Sequence, residues 1–189
     1  PVDPVDPDPV EPEPDLSLDT SGDIISMGTR GDDVVLGGQG DDILHSGDGS
    51  DMIYAGAGDD YILGGAGFKV IFAADGDDII FTGKGGSVIS AGAGNDRITA
   101  DITESGQVMT GGAGNDSFLF MAFSGKATQS LITDFDIHED ELLINLGKVD
   151  LLNLRAGQTG TQTDDGFLIE MDNGSSILLQ GVNITDDVF

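Results

Sequence analysis

Cysteine and tryptophan are missing from all 189 residues, and bases are scarce, 7 lysines and arginines standing against 35 aspartates and glutamates. Without cysteine no disulfide can staple the fold, and thiolate metal sites and thiol nucleophiles are excluded. A net charge of −28 argues against nucleic acid and anionic membrane surfaces, whose phosphates would be repelled, and argues for cations as partners. No apolar run approaches the roughly 20 residues of a membrane-spanning helix. The chain begins Pro-Val-Asp with no signal-peptide pattern, so it is expected either to be cut from a longer chain or to be exported by some other address. Catalytic motifs are missing too. The two histidines, His45 and His138, have no HExxH or triad context, and Ser124-Gly125-Lys126 lacks the upstream glycines of a phosphate loop. No enzyme is expected.

Proline is confined to the N-terminus, where all six prolines share Pro1–Asp15 with six acids. Proline favours an extended polyproline conformation and like charges keep the segment stretched. It reads as a linker, a semi-rigid spacer of roughly 45 Å at about 3.1 Å per residue. From Leu16 to Met27, the run Ser21-Gly22-Asp23-Ile24-Ile25-Ser26 echoes half of a repeat that dominates the next ninety residues. Terminal repeats are usually atypical, so 16–27 is expected to be an N-terminal cap over the first coil.

That repeat is nine residues long and runs in register from Gly28 to Thr99: GTRGDDVVL, GGQGDDILH, SGDGSDMIY, AGAGDDYIL, GGAGFKVIF, AADGDDIIF, TGKGGSVIS and AGAGNDRIT. A disturbed copy of eleven residues, Ala100 to Thr110, precedes a final GGAGNDSFL from Gly111 to Leu119. Self-similarity at a short fixed period dictates a quasi-linear architecture in which each copy stacks on its neighbours. Each copy joins a glycine-rich hexad to three residues of β character. The eighth position carries Val35, Leu44, Ile53, Ile62, Ile71, Ile80, Ile89, Ile98 and, in the last copy, Phe118. Such a row suits short strands that point one side chain per copy inward, with positions seven and nine facing out. The hexad supplies the turn, since glycine adopts left-handed conformations cheaply. Turn and strand make half a coil, so two copies complete one turn of a parallel β-roll.

This pattern resembles the RTX nonapeptide family, G-G-x-G-x-D-x-apolar-x, a calcium-binding β-helix repeat. The resemblance covers about half the chain, residues 28–117. It implies an all-β fold, a right-handed parallel β-roll with two nonapeptides per coil, and calcium held between turns two copies apart on both edges. The implied ligands are the position-six aspartates Asp33, Asp51, Asp42, Asp60, Asp78, Asp96 and Asp116. Beside them would stand hexad carbonyls, at Gly28, Arg30, Gly37, Gln39, Asp41, Asp48, Ala57, Asp59, Asp75, Asp77, Ala93 and Asn95.

Calcium takes six to eight oxygen ligands and accepts carbonyls beside carboxylates, which stacked open turns can provide. Between Gly28 and Asp116 there are 15 acids, 4 bases and 22 glycines. Without cations the aspartates would stack at strand spacings of roughly 5 Å, where they repel. Each glycine also costs up to about 1 kcal/mol of extra backbone entropy relative to alanine. The array is therefore expected to be disordered without calcium, so that ion binding is folding free energy.

Turns alternate between two edges, and sorting copies by parity separates them. Even copies carry Asp42, Asp60, Asp78, Asp96 and Asp116, an unbroken ladder if the eleven-residue copy bulges its two extra residues outward. Odd copies carry Asp33 and Asp51, then Lys69, Ser87 and Ser105. About four ions are expected on the even edge and one or two on the odd edge. Lys69 is expected either to stand in for a calcium beside neighbouring carbonyls or to point into solvent.

The outward positions are apolar at Val34, Leu36, Met52, Tyr54, Val70, Phe72 and Val88 on odd strands and at Ile43, Tyr61, Leu63, Ile79 and Phe81 on even ones. An exposed stripe of that kind marks a contact. The expected cover is the chain's own C-terminal part or a second copy of the protein, with a ligand-binding face as the alternative.

From Phe118 to Phe189 the nonapeptide rhythm stops, and a β-rich capping and secretion region is expected. Ile132, Asp134, Phe135, Asp140 and Leu142 resemble the I-x-D-F-x-x-G-x-D-x-I-D-L segment that often follows RTX repeats, with His138 in place of the glycine and Leu143 in place of an aspartate. An EF-hand does not fit, because Glu139 occupies the position where its loop needs glycine. Gly166 to Val182 is a hairpin signal, with Asn173-Gly174 between apolar runs. The ending, from Ile184, resembles the acidic-then-apolar tails of type I secretion substrates.

The resemblance implies a calcium-triggered folding module at the C-terminus of a larger exported protein. It would pass unfolded through the type I secretion machinery and fold outside the cell or at its surface. The alternatives are a calcium-dependent module that binds polysaccharide or a partner through its outer strand faces, similar to epimerase R-modules or adhesins, and a structural protein that self-associates with calcium.

Overall fold

The computed structural model describes residues 22–102, 105–121, 127–144, 147–148 and 158–184. The linker Pro1–Asp15, the start of the N-terminal cap, Ser124-Gly125-Lys126 and the tail beyond Ile184 lie outside the described residues. The described residues form seventeen strands: β1 (Ile25–Met27), β2 (Val34–Gln39), β3 (Ile43–His45), β4 (Asp51–Ala57), β5 (Tyr61–Leu63), β6 (Lys69–Asp75), β7 (Ile79–Phe81), β8 (Ser87–Ala93), β9 (Arg97–Asp101), β10 (Gln107–Ala113), β11 (Ser117–Met121), β12 (Gln129–Ile132), β13 (Glu141–Ile144), β14 (Gly147–Lys148), β15 (Gln158–Thr163), β16 (Gly166–Met171) and β17 (Ser176–Gln180). No helix occurs among the described residues.

The strands wind alternately into two sheets, ordered β1-β3-β5-β7-β9-β11-β13-β14 and β15-β16-β17-β12-β10-β8-β6-β4-β2. Within the repeats all pairing is parallel and offset by one coil of two nonapeptides, as in Val35↔Ile53↔Ile71↔Ile89 and Leu44↔Ile62↔Ile80↔Ile98. The fold is a parallel β-roll of about five turns. Parallel coiling continues past the last nonapeptide, since β11 pairs with β13 and β10 with β12. The far end is closed by the antiparallel hairpin β16–β17, turning at Asn173-Gly174, with β15 at its margin.

The two faces differ in length. Strands β4, β6, β8 and β10 run seven residues, whereas β3, β5 and β7 run three. The long strands extend into the following hexad, and this puts a second row into the core. Position eight is buried throughout, from Val35 to Phe118, and so are Ala55, Ala73 and Ala91 at the first position of the even copies. That row is small because the chain turns there against its neighbour: a Cβ at Gly37 would meet the carbonyl of Ala55. Each fully buried isoleucine contributes about 1.5–3 kcal/mol, enough to hold a thin core together only when the coils stack.

Positions seven face solvent, as do Tyr54 and Phe72, whose rings stack at 5.1 Å and 11° on the nine-stranded sheet. The C-terminal part does not lie over this stripe among the described residues. It extends the sheets end to end instead, because β12 and β13 pair in parallel with β10 and β11 of the last coil and β17 pairs in parallel with β12.

Candidate metal centres on the two edges

Each even turn presents its position-six aspartate inward, between the sheets. Asp42 Oδ1 accepts the Ile24 amide at 2.8 Å, Asp60 Oδ1 accepts Asp42 N at 2.8 Å, Asp78 accepts Asp60 N at 2.8 Å, Asp96 accepts Asp78 N at 2.9 Å and Asp116 accepts Asp96 N at 2.9 Å. The ladder therefore crosses the eleven-residue copy unbroken. It also continues one rung further, as Asp140 Oδ1 accepts Asp116 N at 2.9 Å while its Oδ2 takes the Asp136 amide. Asp134 in turn accepts the amides of Gly111 and Gly112. His138 and Leu143 depart from the family's pattern, yet the aspartates of this segment join the same edge.

The second oxygens tell a different story. Asp42 Oδ2, Asp60 Oδ2, Asp78 Oδ2 and Asp96 Oδ2 are buried without a hydrogen-bond partner. A buried carboxylate oxygen left alone is costly. Burial pushes the carboxyls of Asp60, Asp96 and Asp116 up to about 6 and that of Asp78 to about 7, with neighbouring carboxylates adding to the rise and the accepted amides opposing it. Asp140 is raised by burial as well. These groups need either a proton or a cation.

Around them stand the hexad backbones. The carbonyls of Ala57, Asp75 and Ala93 each accept one amide, from Gly40, Gly58 and Gly76, which leaves a lone pair on each oxygen. Gly58 shows why glycine is required in these turns: its φ is +122°, and a Cβ would run into the carbonyl of Gly40. The fifth positions build an outer ladder of their own, exposed, in which Asp23, Asp41, Asp59 and Asp77 accept the amides of Asp41, Asp59, Asp77 and Asn95. Those side chains are exposed, whereas the inner ladder is buried. Among the described residues no three carboxylates or histidines converge on one point. An ion on this edge would need carboxylates from two turns and carbonyls between them, the donor set that suits calcium. The orphaned oxygens fit that ion.

On the odd edge Asp33 and Asp51 are buried, Asp33 N donating to Asp51 Oδ1 at 3.0 Å. Asp33 Oδ2 accepts from Thr29 N at 2.6 Å. Beyond Asp51 the edge changes character. Lys69 is wholly buried, and its Nζ sits 3.1 Å from Asp51 Oδ2, 2.7 Å from the carbonyl of Gly49 and against the carbonyl of Ala66. It points inward, not to solvent. The expected position-six residue of the eleven-residue copy, Ser105, is displaced by Gln107, which pairs with Ser87. The two extra residues fall in the odd-edge turn ahead of β10, so the register resumes two residues later than counting from Ala100 suggests. Carbonyls at Gly28, Arg30, Gly37, Gln39 and Asp48 belong to the first turns of the two edges.

Parallel coils with a buried aspartate at every even turn make a β-roll that stacks carboxylates between its sheets. Residues 25–53, 36–71 and 72–102 match the family model of the RTX calcium-binding nonapeptide repeat, and this part of the chain is an RTX β-roll, of the kind of repeat that binds calcium. Among curated proteins none matches the chain. Among solved structures it is similar to the AlgE6R3 subunit of the Azotobacter vinelandii mannuronan C5-epimerase, with 20% identity, 90% of this chain and 78% of that chain covered, and a TM-score of 0.29.

Proposed function

We propose that the chain is a calcium-loaded folding module of a larger exported protein, with four ions on the even edge and one on the odd edge. The observation that carries this reading is the set of four buried, unpartnered oxygens, Asp42 Oδ2, Asp60 Oδ2, Asp78 Oδ2 and Asp96 Oδ2. They match the four intervals between even turns from Asp42 to Asp116. The fifth ion lies between Asp33 and Asp51. The position-six carboxylates are its strong ligands, and the hexad carbonyls complete the shell. Calcium supplies charge that the stacked aspartates lack, and each ion ties two coils together, so binding and coiling are one event.

Such a module stays unfolded where calcium is scarce and folds where it is plentiful, which suits passage through a type I channel and assembly outside the cell. The cysteine-free composition and a net charge of −28 support that use. Its role is folding and binding, not catalysis. The polysaccharide- or partner-binding alternative rests on the exposed Tyr54–Phe72 stack alone, and the edges make the stronger case. Calorimetric titration of the metal-free chain with calcium tests the ion count: about five ions per chain are expected from the intervals, and no binding at millimolar calcium would overturn the reading.

A further inference from the structure

Two of the odd-edge intervals already hold a nitrogen. The interval between the turns of Asp51 and Lys69 is filled by Lys69 Nζ, which donates to the fourth-position carbonyl of Asp51's turn (Gly49) at 2.7 Å and to the third-position carbonyl of its own turn (Ala66), and forms an ion pair with Asp51 Oδ2 at 3.1 Å. Asp51 Oδ2 is the odd-edge counterpart of the oxygens left orphaned at Asp42, Asp60, Asp78 and Asp96. Two intervals further on, Gln107, also fully buried, aims Nε2 at the fourth-position carbonyl of the turn below, Gly85, at 2.7 Å, and at the carbonyl of Asp101 at 3.1 Å. Gly85 stands to Gln107 as Gly49 stands to Lys69. Between these two, the position-six residue is Ser87, with no charge to offer an ion.

We propose that Lys69 Nζ and Gln107 Nε2 are resident donors occupying ion positions of the odd edge, so that this edge takes calcium only between Asp33 and Asp51 and is held past Asp51 by the chain's own nitrogens. The proposal rests on the calcium reading of the edges. One edge of the roll is then exchangeable along its whole length, and the other holds the chain's own nitrogens in two of the three intervals past Asp51. Lys69 supplies a full charge and three donors. Gln107 supplies a neutral amide whose Oε1 has no partner, and it is the weaker substitute of the two.

Two measurements test this. In calcium, mass-spectrometric mapping of acetylation should show Lys69 protected by at least about a hundredfold relative to the exposed Lys84, as a buried group reached only through opening of the fold. Native mass spectrometry should count one more calcium in Lys69→Asp than in the wild type, since the substitution returns a carboxylate to an interval whose carbonyls are already in place. A Lys69 that is acetylated as fast as Lys84 in the calcium-loaded chain overturns the proposal, and so does a folded Lys69→Asp with an unchanged ion count. Should Lys69→Asp not fold, the wild-type labelling decides. A wild type that binds no calcium and still protects Lys69 would overturn the calcium reading itself while leaving the lysine where the geometry puts it.

Discussion

An aspartate with one oxygen on a backbone amide and the other buried without a partner is divided between two tasks, holding the backbone and leaving an oxygen that a cation would satisfy. Oδ1 of Asp78 fixes the coil below by accepting Asp60 N at 2.8 Å, while Oδ2 is buried without a partner, the oxygen that the proposed calcium would take. Replacing Asp78 by asparagine keeps the shape and removes the charge. In calcium the variant should need roughly tenfold more ion to fold, the scale of one lost charge-assisted contact. In chelator at neutral pH the same substitution should be stabilising, because a neutral amide escapes the burial penalty that lifts the Asp78 carboxyl to about 7. Opposite signs, read as the calcium midpoint of folding in one condition and as residual β content by circular dichroism in chelator in the other, would separate a ligand from a merely structural aspartate; equal signs would not fit. At this scale the position-six aspartates of the even edge were legible from spacing alone. Gln107 was not, because its place depends on where a two-residue bulge falls, and counting placed Ser105 there instead.

Along an edge, the aspartates act as a row. Their folded carboxyls titrate at about 6 to 7, against about 4 for an unfolded aspartate, so the metal-free fold binds more protons than the unfolded chain across that window. The stability this represents is fully present below pH of about 4 and is lost as pH rises through 6 to 7. Acidifying the chelated protein from pH 7.5 to about 5 should therefore raise its β content, and calcium affinity should fall over the same range as protons compete for the ladder. Circular dichroism in chelator against pH checks this, and a β signal that falls or stays flat on acidification would contradict it. The alternation of inward position eight with outward position seven was readable from the isoleucine row, whereas position nine, expected outward, is buried at Thr99 and Leu119. The alanine row at Ala55, Ala73 and Ala91 was hidden, because those residues sit in hexads that look like pure turn while the long strands run on into them.

For the molecule as a whole, the roll is a thin stack whose core is one or two side chains wide, closed at its far end by strands that carry no nonapeptide signature. Two packed residues per half coil cannot by themselves offset the entropy of so many glycines and the repulsion of 15 acids between Gly28 and Asp116. The two-sheet architecture was legible because periodicity dictates stacking whatever the side chains. The continuation of parallel coiling into β12 and β13 was not, since there the turns lose their glycines and only the sheet edge specifies pairing. The asymmetry between edges joins these levels: a ladder of buried carboxylates from Asp42 to Asp116 faces an edge where Lys69 and Gln107 reach the turn carbonyls. A calcium titration of the metal-free chain at neutral pH, followed by circular dichroism, tests the central claim most directly. The account predicts a largely disordered spectrum in chelator that converts cooperatively to β structure as calcium is added, and a β signal already complete in chelator would contradict it.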